Sequence, residues 1–555
     1  MARYSIGFDF GTESVRALLV DVSNGSIAGQ SDAKYSFGVI DDRLPTSSTL
    51  GTAGEKLPAD YALQHPRDWL DSMALACRAA MTHAGASRED VVGIGVDFTS
   101  CTMLPALRDG TPLCLVPGYH TIPLAWPRLW KHHGAKAETD RINHVARERN
   151  EDWLSRYGGV IGLEWFFPKV LETLTHEPDA YAAAEVWLEA GDWLVWQLVD
   201  GLFPNCNAER LVRSTCQAGY KAMWNAKTGY PSADYFAAVH PAMADVVTKK
   251  MPGKLMAPGQ RAGMLTAPAA VLLGLKPGTP VSAAIIDAHA GVPGAGVAVP
   301  STLVLVMGTS SCHMMLSAIE KRAPGIAGVV ADGILPGYFG YETGQASVGD
   351  AFAWLVQNFN LSHSDMNHAA AELPPGSGGV IALDWLNGCR TPLMDGRLSG
   401  AFVGLTLGTR PAQLYRALME ATAFGVRWIV DTLREAGVPV ESFVASGGLP
   451  AKSPLLMQIY ADVLGQEIRL AASEQSVALG AAILGCLAAG EAATGHAGIG
   501  QAISAMAPQR EDLVFAPDAS AHRAYDHLYA LYRRLANKDG ALAATMRELR
   551  AGAET

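Results

Sequence analysis

A chain of 555 residues is longer than one hydrophobic core usually supports, so we expect two large domains. Hydrophobic residues make up 49% of the chain and charged residues 17%, a composition that excludes a disordered protein. The net charge of -11 and the lack of a run rich in lysine and arginine argue against a nucleic-acid-binding function.

The sequence also lacks the patterns of an exported or membrane protein. Its first residues predict a strand directly, without a basic and then apolar leader. The most apolar late run, Val477–Gly490, is shorter than the roughly 20 residues that cross a bilayer. The eight cysteines form no CxxC pair, which is typical of reduced thiols. We therefore expect a cytoplasmic protein with no membrane partner.

The predicted elements follow the same order in both halves of the chain: a hairpin of two strands, then a helix, then a further apolar strand. In the first half these elements are Tyr4–Asp9, Val15–Asp21, Pro66–His83 and Val91–Phe98. In the second half they are Thr302–Gly308, His313–Ser317, Pro411–Ala436 and Glu441–Ser446. A unit that occurs twice predicts two α/β domains around a central cleft, residues 1–297 and 298–555.

Two further segments complete this prediction. The tail from about Asp518 predicts a helix that packs on the body, because four apolar side chains share one face: Tyr525, Leu528, Tyr532 and Leu535. The wide loop Gly38–Ala62 either covers a site or lies on the surface, and the sequence leaves both alternatives open.

Each predicted hairpin has a glycine followed by hydroxyl side chains in its turn. In the first hairpin, Asp9 is followed by Gly11, Thr12, Ser14 and Arg16. Backbone N–H groups and hydroxyls in such a turn can donate to phosphate oxygens, and the arginine adds positive charge. The second hairpin repeats the pattern at Gly308-Thr309-Ser310-Ser311. Either turn alone is explained by an ordinary hairpin, but the pair favours a nucleotide held from both sides.

Other candidate residues each have a structural alternative. Asp287 follows an apolar strand, where it is either a general base or the cap of the next turn. Gly447-Gly448 either allows the backbone to approach a flat ring or forms a plain connection, and it matches neither a P-loop nor a Rossmann motif. Glu342 either accepts hydrogen bonds from a polyol or forms a structural ion pair. The aromatic residues near Trp165 and the row Trp187, Trp193 and Trp196 favour core positions, and the histidines form no zinc-type set.

Several segments together resemble one family, the FGGY carbohydrate kinases, over roughly Tyr4 to Leu535. Within that family they are most similar to members that act on L-ribulose in L-arabinose catabolism. The segments are Asp9–Arg16, Gly93–Thr99, Leu129–His133, Ala218–Trp224, Glu342–Gln345 and Leu383–Gly388.

The resemblance implies two actin-like, ribonuclease H-like ATPase domains and an ATP-dependent kinase that needs Mg²⁺. It makes Asp287 the general base on the terminal hydroxyl of the sugar, and Asp9 the residue that places the metal. The residues implied in nucleotide binding are Asp9, Gly11, Thr12, Ser14, Arg16, Gly308, Thr309, Gly447, Gly448 and Lys452. Those implied in sugar binding are Asp97, Ser100, Lys221, Asp287 and Glu342. Lys452-Ser453 departs from the Lys-Asn pair of some relatives.

The sequence leaves alternatives to this interpretation open. The same turns suit an FGGY kinase for D-ribulose, ribitol, xylulose or glycerol, since only the few residues on the sugar side separate these substrates. An actin-like ATPase that gates a protein partner is disfavoured by Asp287 and by the lack of a long appended domain. A sugar-sensing protein without catalysis is disfavoured by Asp9, Asp287 and Thr309. A homodimer is left open.

Overall fold

The computed structural model describes residues 2–45, 54, 56–510 and 512–553. Part of the wide loop Gly38–Ala62, namely residues 46–53 and 55, lies outside the described residues. Within the described residues, the main strands form two mixed sheets of seven strands each, one in each half of the chain.

The strands of the first sheet are β1 (Tyr4–Phe10), β2 (Ser14–Asp21), β3 (Ile27–Lys34), β4 (Val91–Phe98), β5 (Arg261–Met264), β6 (Pro280–Ser282) and β7 (Ile285–Ile286). Their order is β3-β2-β1-β4-β6-β5, with β7 also paired to β4. Neighbours among β1, β2 and β3 are antiparallel, whereas β1, β6 and β7 each pair with β4 in parallel. The strands predicted at β1, β2 and β4 are confirmed to within one residue.

The strands of the second sheet are β8 (Thr302–Met307), β9 (Ser311–Ser317), β10 (Gly328–Ala331), β11 (Phe339–Gln345), β12 (Ser442–Ser446), β13 (Ile468–Leu470) and β14 (Val514–Phe515). Their order is β10-β11-β9-β8-β12-β13-β14. The inner run β11-β9-β8-β12-β13 repeats the order β3-β2-β1-β4-β6 of the first sheet, which confirms the predicted duplication. In both sheets the first hairpin is antiparallel, and the next strand of the run pairs in parallel with the first strand of that hairpin.

Helices and three small two-stranded sheets connect these strands in the described part of the chain. The α-helices are Pro66–Ala84, Lys136–Glu148, Phe166–His176, Pro178–Ala183, Ala190–Asp200, Thr215–Lys221, Ala233–Val239, Val246–Lys250, Ala267–Leu273, Asp287–Gly294, Gly349–Asn358, His363–Ala371, Pro411–Glu435, Gly448–Lys452, Pro454–Leu464, Ser476–Ala489, Glu491–Thr494, Ile499–Met506, Ala519–Leu535 and Ala541–Ala553. The small sheets pair Met103–Ala106 with Val186–Glu189, Val212–Ser214 with Lys254–Met256, and Ile381–Leu383 with Ala401–Val403.

The predicted tail helix is confirmed as Ala519–Leu535. It begins after Asp518, whose carboxylate accepts hydrogen bonds from the N–H groups of Ser520 and Ala521 as an N-terminal cap. Tyr525 and Tyr532 are buried in the hydrophobic core of the second half of the chain, because they lie on the predicted apolar face. A second tail helix, Ala541–Ala553, was not predicted from the sequence. The tail is therefore part of the packed body.

The tryptophan row is also confirmed as core, since Trp187, Trp193 and Trp196 are fully buried. All eight cysteines carry free thiols, and Cys312 alone among them is half-buried. In the described part of the chain no single helix has both the length and the apolar character needed to cross a bilayer. The bent pair Ser476–Ala489 and Glu491–Met506 meets that requirement only when its two helices are taken together.

Helix Ser476–Ala489 joins the two halves by direct backbone contact. It packs against helix Asp287–Gly294 and against β1 and β4 of the first sheet. A β-carbon at Gly95 would lie 1.8 Å from the carbonyl oxygen of Ala481, and one at Gly480 would lie 1.8 Å from that of Ala290. Glycine is required at both positions, because any side chain would overlap backbone atoms of the facing element.

We expect Gly95→Ala to lower the free energy of unfolding by about 3 kcal/mol, because the new methyl group must push the helix away from β4. Urea unfolding followed by circular dichroism measures this change. Gly500→Ala is the matched control, since a β-carbon there meets no atom within 4 Å and the residue lies in helix Ile499–Met506. Equal unfolding midpoints for the two variants would contradict the close contact.

Candidate active site

Three carboxylates meet at the carboxyl ends of neighbouring strands in the first sheet. Asp9 in β1 lies opposite Asp97 in β4, and the parallel pairing of Ile285 with Asp97 brings Asp287 to the same edge. Parallel strands bring residues that are far apart in sequence to one edge, where sites in α/β proteins gather. The predicted residues Asp9, Asp97 and Asp287 therefore form one acidic cluster.

Asp97 lies at the centre of this cluster, because its strand β4 pairs with both β1 and β7. Its side chain is fully buried, and neither carboxylate oxygen has a hydrogen-bond partner among the described residues. Burial raises the pKa of Asp97 well above its usual value, and the charges of Asp9 and Asp287 raise it further. Burial also raises the pKa of Asp9, although nearby Arg16 opposes this shift. Such a cluster favours a bound cation or a donor supplied by a ligand.

Asp287 begins the helix Asp287–Gly294 directly after β7. One carboxylate oxygen, Oδ1, accepts a hydrogen bond of 2.7 Å from the N–H group of Ala288. Burial raises the pKa of Asp287 to about 7, against the opposing effect of that hydrogen bond and with a further rise from Asp9. A carboxylate that titrates near neutral pH can accept a proton from a bound hydroxyl group, so the geometry allows a general base.

Glu342 in β11 lies in a buried ionic cluster that spans both halves of the chain. Lys221 Nζ donates to Oε1 at 2.9 Å and to Oε2 at 3.0 Å, and Arg390 also donates to Oε1. Burial alone would raise the pKa of Glu342, but the charges of Lys221 and Arg390 lower it to about 2. Glu342 is therefore an ionised acceptor held between two cations, and we call Lys221, Glu342 and Arg390 the ionic triad.

The ionic triad lies close to Asp287. The charge of Lys221 lowers the pKa of Asp287, and that of Glu342 raises it. His289, two residues along the same helix, has its Nε2 atom 3.5 Å from Glu342 Oε2. Trp165, predicted as core, is buried as expected, and its ring lies 5.5 Å from Lys221 Nζ. A buried acceptor and two cations beside the Asp287 carboxylate form a suitable binding site for a polyhydroxylated substrate.

Two residues of this region were not predicted from the sequence, namely Arg390 and His289. Arg390 follows one of the segments that carried the family resemblance, but it lies 48 positions after Glu342, and no local pattern links the two. His289 lies within the strand-and-glycine motif around Asp287, where its short spacing from Asp287 was the available signal. Ser100, another predicted sugar contact, is half-buried just beyond β4, and its hydroxyl lies 3.3 Å from the sulfur of Cys101.

We call the two turns predicted to bind phosphate, Gly11–Ser14 and Gly308–Ser311, the first and second phosphate turns. The first turn is closed by a hydrogen bond of 3.0 Å from the N–H group of Gly11 to the carbonyl oxygen of Ser14. Trp130 Nε1 donates to the Thr12 hydroxyl at 3.1 Å, which leaves the proton of that hydroxyl able to donate. The Arg16 guanidinium pairs with Asp32 at 2.9 Å and with Asp9 at 3.4 Å. Arg16 thus contacts carboxylates here, and its role toward phosphate stays a prediction.

The second phosphate turn lies beside the double glycine, because β8 and β12 are parallel neighbours. Gly447 adopts a φ of +97°, and a β-carbon there would lie 2.5 Å from the carbonyl oxygen of Met307. Gly308, Thr309 and Gly448 are exposed at this edge of the sheet. Glycine at 447 therefore brings two backbone segments together and leaves an open edge beside them.

Lys452, another predicted nucleotide contact, lies in the short helix that begins at the double glycine. It is exposed at the last position of the short helix Gly448–Lys452. Its contact with a nucleotide stays a prediction.

Comparison with known proteins gives consistent results. The model of the FGGY family of carbohydrate kinases, N-terminal domain, matches residues 4–294, and that of the C-terminal domain matches residues 303–489. A ribulokinase from Shouchella clausii is 46% identical over 548 residues, which cover 96% of this chain and 95% of that protein. A ribulokinase from Mycolicibacterium smegmatis is 43% identical over 561 residues, covering 99% and 96%.

Solved structures share the fold. The xylulose kinase from Rhodospirillum rubrum has a TM-score of 0.76 at 24% identity, and the comparison covers 99% of this chain and 100% of that one. A ligand-bound xylulose kinase from Lactobacillus acidophilus has a TM-score of 0.78 at 19% identity, with coverage of 99% and 100%. The two family models together match most of the residues described above, and the chain belongs to the FGGY family of carbohydrate kinases.

Proposed function

We propose that this ATP-dependent sugar kinase transfers the γ-phosphoryl group of ATP to the terminal hydroxyl of L-ribulose, which gives L-ribulose 5-phosphate and ADP. Identities of 43–46% to ribulokinases over nearly the whole chain support this substrate. The observation that carries the proposal is the position of Asp287 beside the buried ionic triad. We place the reaction in the cytoplasm, as a step of L-arabinose catabolism.

In this reaction Asp287 accepts the proton of the terminal hydroxyl while the oxygen of that hydroxyl attacks the γ-phosphorus. The bond from phosphorus to the bridging oxygen of ADP breaks. Glu342 accepts hydrogen bonds from sugar hydroxyls, and Lys221 holds it ionised at 2.9 Å. Asp97 in β4 and Ser100 just beyond it border the sugar. Phosphoryl transfer depends mainly on positioning and charge, so one base is sufficient.

ATP is held from both sides of the cleft in this proposal. The first turn supplies Gly11, Thr12, Ser14 and Arg16, and the second supplies Gly308 and Thr309 for the phosphates. The open edge at Gly447 and Gly448 takes the adenine, with Lys452 nearby. The two domains, residues 1–297 and 298–555, close around the sugar, and the family-model limits at 294 and 303 support this division. Closure excludes water as a competing acceptor.

Asp9 and Asp97 fit a Mg²⁺ ion that arrives with the nucleotide. The unpartnered buried oxygens of Asp97 are suitable ligands, and Mg²⁺ is usually held by one or two carboxylates together with phosphates. The described residues contain no group of three or more His, Cys, Asp or Glu side chains arranged to hold a metal by themselves. When bound, the ion neutralises the charge of the phosphates. A homodimer stays a prediction.

The test is ADP release from MgATP with L-ribulose, D-ribulose, ribitol, D-xylulose, L-xylulose and glycerol, with a control lacking sugar. We expect L-ribulose to give the highest kcat/KM. A higher value for another polyol would keep the kinase and replace the substrate. An equal rate of ADP release with and without each sugar would contradict the proposal and favour an ATPase that gates a protein partner.

A further inference from the structure

The two helices of the tail, Ala519–Leu535 and Ala541–Ala553, contact segments on either side of Arg390 in the sequence. Both helices lie beyond residue 489, where the C-terminal family model ends. Each helix contributes one polar side chain that donates a hydrogen bond to a carboxylate, Tyr532 to Asp384 and Arg547 to Asp395. We call these helices the tail helices.

The first link runs from Arg547 to Arg390. Arg547 Nε donates to Asp395 Oδ2 at 2.8 Å. Asp395 closes a tight loop with Cys389. The N–H group of Asp395 donates to the carbonyl oxygen of Cys389 at 2.9 Å, and the N–H group of Cys389 donates to the carbonyl oxygen of Asp395 at 3.1 Å. Arg390 follows Cys389 in that loop and donates to Glu342. Arg397 also donates to this carboxylate, from Nε to Oδ1 of Asp395 at 3.0 Å, as a local ion pair. Arg547 joins the carboxylate to the tail helices, and through it the loop that carries Arg390.

The same loop is joined to the strand that carries Glu342. The N–H group of Thr391 donates to the carbonyl oxygen of Gly344 at 3.2 Å, and the N–H group of Gly344 donates to the Thr391 hydroxyl at 3.3 Å. Gly344 is two residues beyond Glu342 in β11. A shift of the loop would thus move both partners of the Arg390–Glu342 ion pair.

The second link runs from Tyr532 to the end of β11. The Tyr532 hydroxyl donates to Asp384 Oδ1 at 3.2 Å, and Gln345 Nε2 donates to Asp384 Oδ2 at 2.9 Å. All three side chains are buried, so water cannot replace these bonds without rearrangement. Gln345 is the last residue of β11. The tail helices therefore hold β11 and the Cys389–Asp395 loop at two separate points.

We propose that Arg547 and Tyr532 are positioning residues for sugar binding. They fix the Cys389–Asp395 loop and β11, so that the ionic triad keeps its geometry. This inference rests on the proposed function of the triad. The ion pair of Arg547 separates this positioning role from a merely structural one. Its side chain is 28% exposed, and ion pairs of that kind contribute little to stability. The bond to Asp395 is therefore better explained by the position of the loop than by the stability of the fold.

The experiment compares Arg547→Gln with Arg550→Gln, a control in the same helix at an exposed position. Sugar affinity is measured by calorimetry without nucleotide, and KM values for sugar and ATP by ADP release. We expect Arg547→Gln to weaken sugar binding by about 3- to 10-fold and to raise the sugar KM equally. The KM for ATP, kcat and the urea midpoint should match the control.

Tyr532→Phe is compared with Tyr529→Phe, because the Tyr529 hydroxyl donates to Asp431 and not to Asp384. We expect weaker sugar binding only for Tyr532→Phe. Unchanged sugar affinity in both Arg547→Gln and Tyr532→Phe would overturn the inference. So would an equal rise of the KM values for sugar and ATP, since general loosening of the fold would affect both substrates.

A double-mutant cycle tests the route of the effect. If Arg547 acts through Arg390, adding Arg547→Gln to Arg390→Lys should change sugar affinity by less than about twofold. Fully additive losses would overturn the inference. A wild-type chain that binds no sugar would contradict the proposed function as well, whereas sugar binding that is indifferent to the tail would contradict only this inference.

Discussion

Asp287→Asn is expected to lower kcat for sugar phosphorylation by about 10³-fold, within the range that general base catalysis contributes. Asparagine keeps the size of the side chain, and its carbonyl oxygen can still accept the 2.7 Å hydrogen bond from Ala288. It cannot take the proton of the attacking hydroxyl at neutral pH. Sugar affinity should therefore change little while turnover is lost.

The measurement is ADP release at saturating MgATP and sugar, with sugar affinity determined separately by calorimetry. Asp234→Asn is a suitable control, because Asp234 lies in the first turn of helix Ala233–Val239 but is exposed. Near-normal turnover of Asp287→Asn would show that Asp287 is not the base.

The pH profile supplies a second readout of the same assignment. Burial raises the pKa of Asp287 to about 7, and the base must be ionised to accept a proton. The kcat/KM for sugar should therefore rise with pH, level off above about 7, and fall by about tenfold per unit below it. The residual activity of Asp287→Asn should lack this acidic limb. A wild-type profile that is flat through this range would contradict the role of the base.

Glu342→Gln is expected to raise the sugar KM by about 100-fold and to lower the free energy of unfolding by about 3 kcal/mol. Glutamine removes the charge that compensates Lys221, which is 5% exposed, and Arg390, so a buried cation is left without its anion. The loss of an ionised acceptor also weakens hydrogen bonds to sugar hydroxyls. The KM for ATP should change much less, because the phosphate turns lie on other strands.

Glu320→Gln is the matched control for this prediction. Glu320 also lies among cations, with Arg156 Nε at 3.2 Å and Arg322 Nε at 3.5 Å, but its side chain is 15% exposed and it lies outside the ionic triad. We expect its sugar KM to equal that of the wild type, and its unfolding midpoint to fall less. Steady-state kinetics and urea unfolding of both variants give the comparison. Similar sugar KM values for Glu342→Gln and Glu320→Gln would contradict the sugar-binding role.

The repeated elements of the fold could be predicted from local sequence patterns. Hairpins, apolar strands and turns depend on neighbours a few residues apart, so alternation and glycine positions were enough to predict β1, β2 and β4 to within one residue. The same local chemistry placed Asp9, Asp287 and both phosphate turns at strand ends. The paired turns were informative because the second half repeats the first.

Which of these residues contact one another depends on how distant segments pack, and the sequence pattern does not predict it. Lys221 and Glu342 are 121 positions apart, and Arg390 reaches Glu342 from a loop that carries no local motif. The apolar run after Val477 was recognised as too short for a membrane, but its role as the helix that joins both halves depends on glycines in β4 and in helix Ser476–Ala489. Ion pairs and close backbone contacts between distant segments leave no periodic signal, because each partner is selected by the shape and charge of the other.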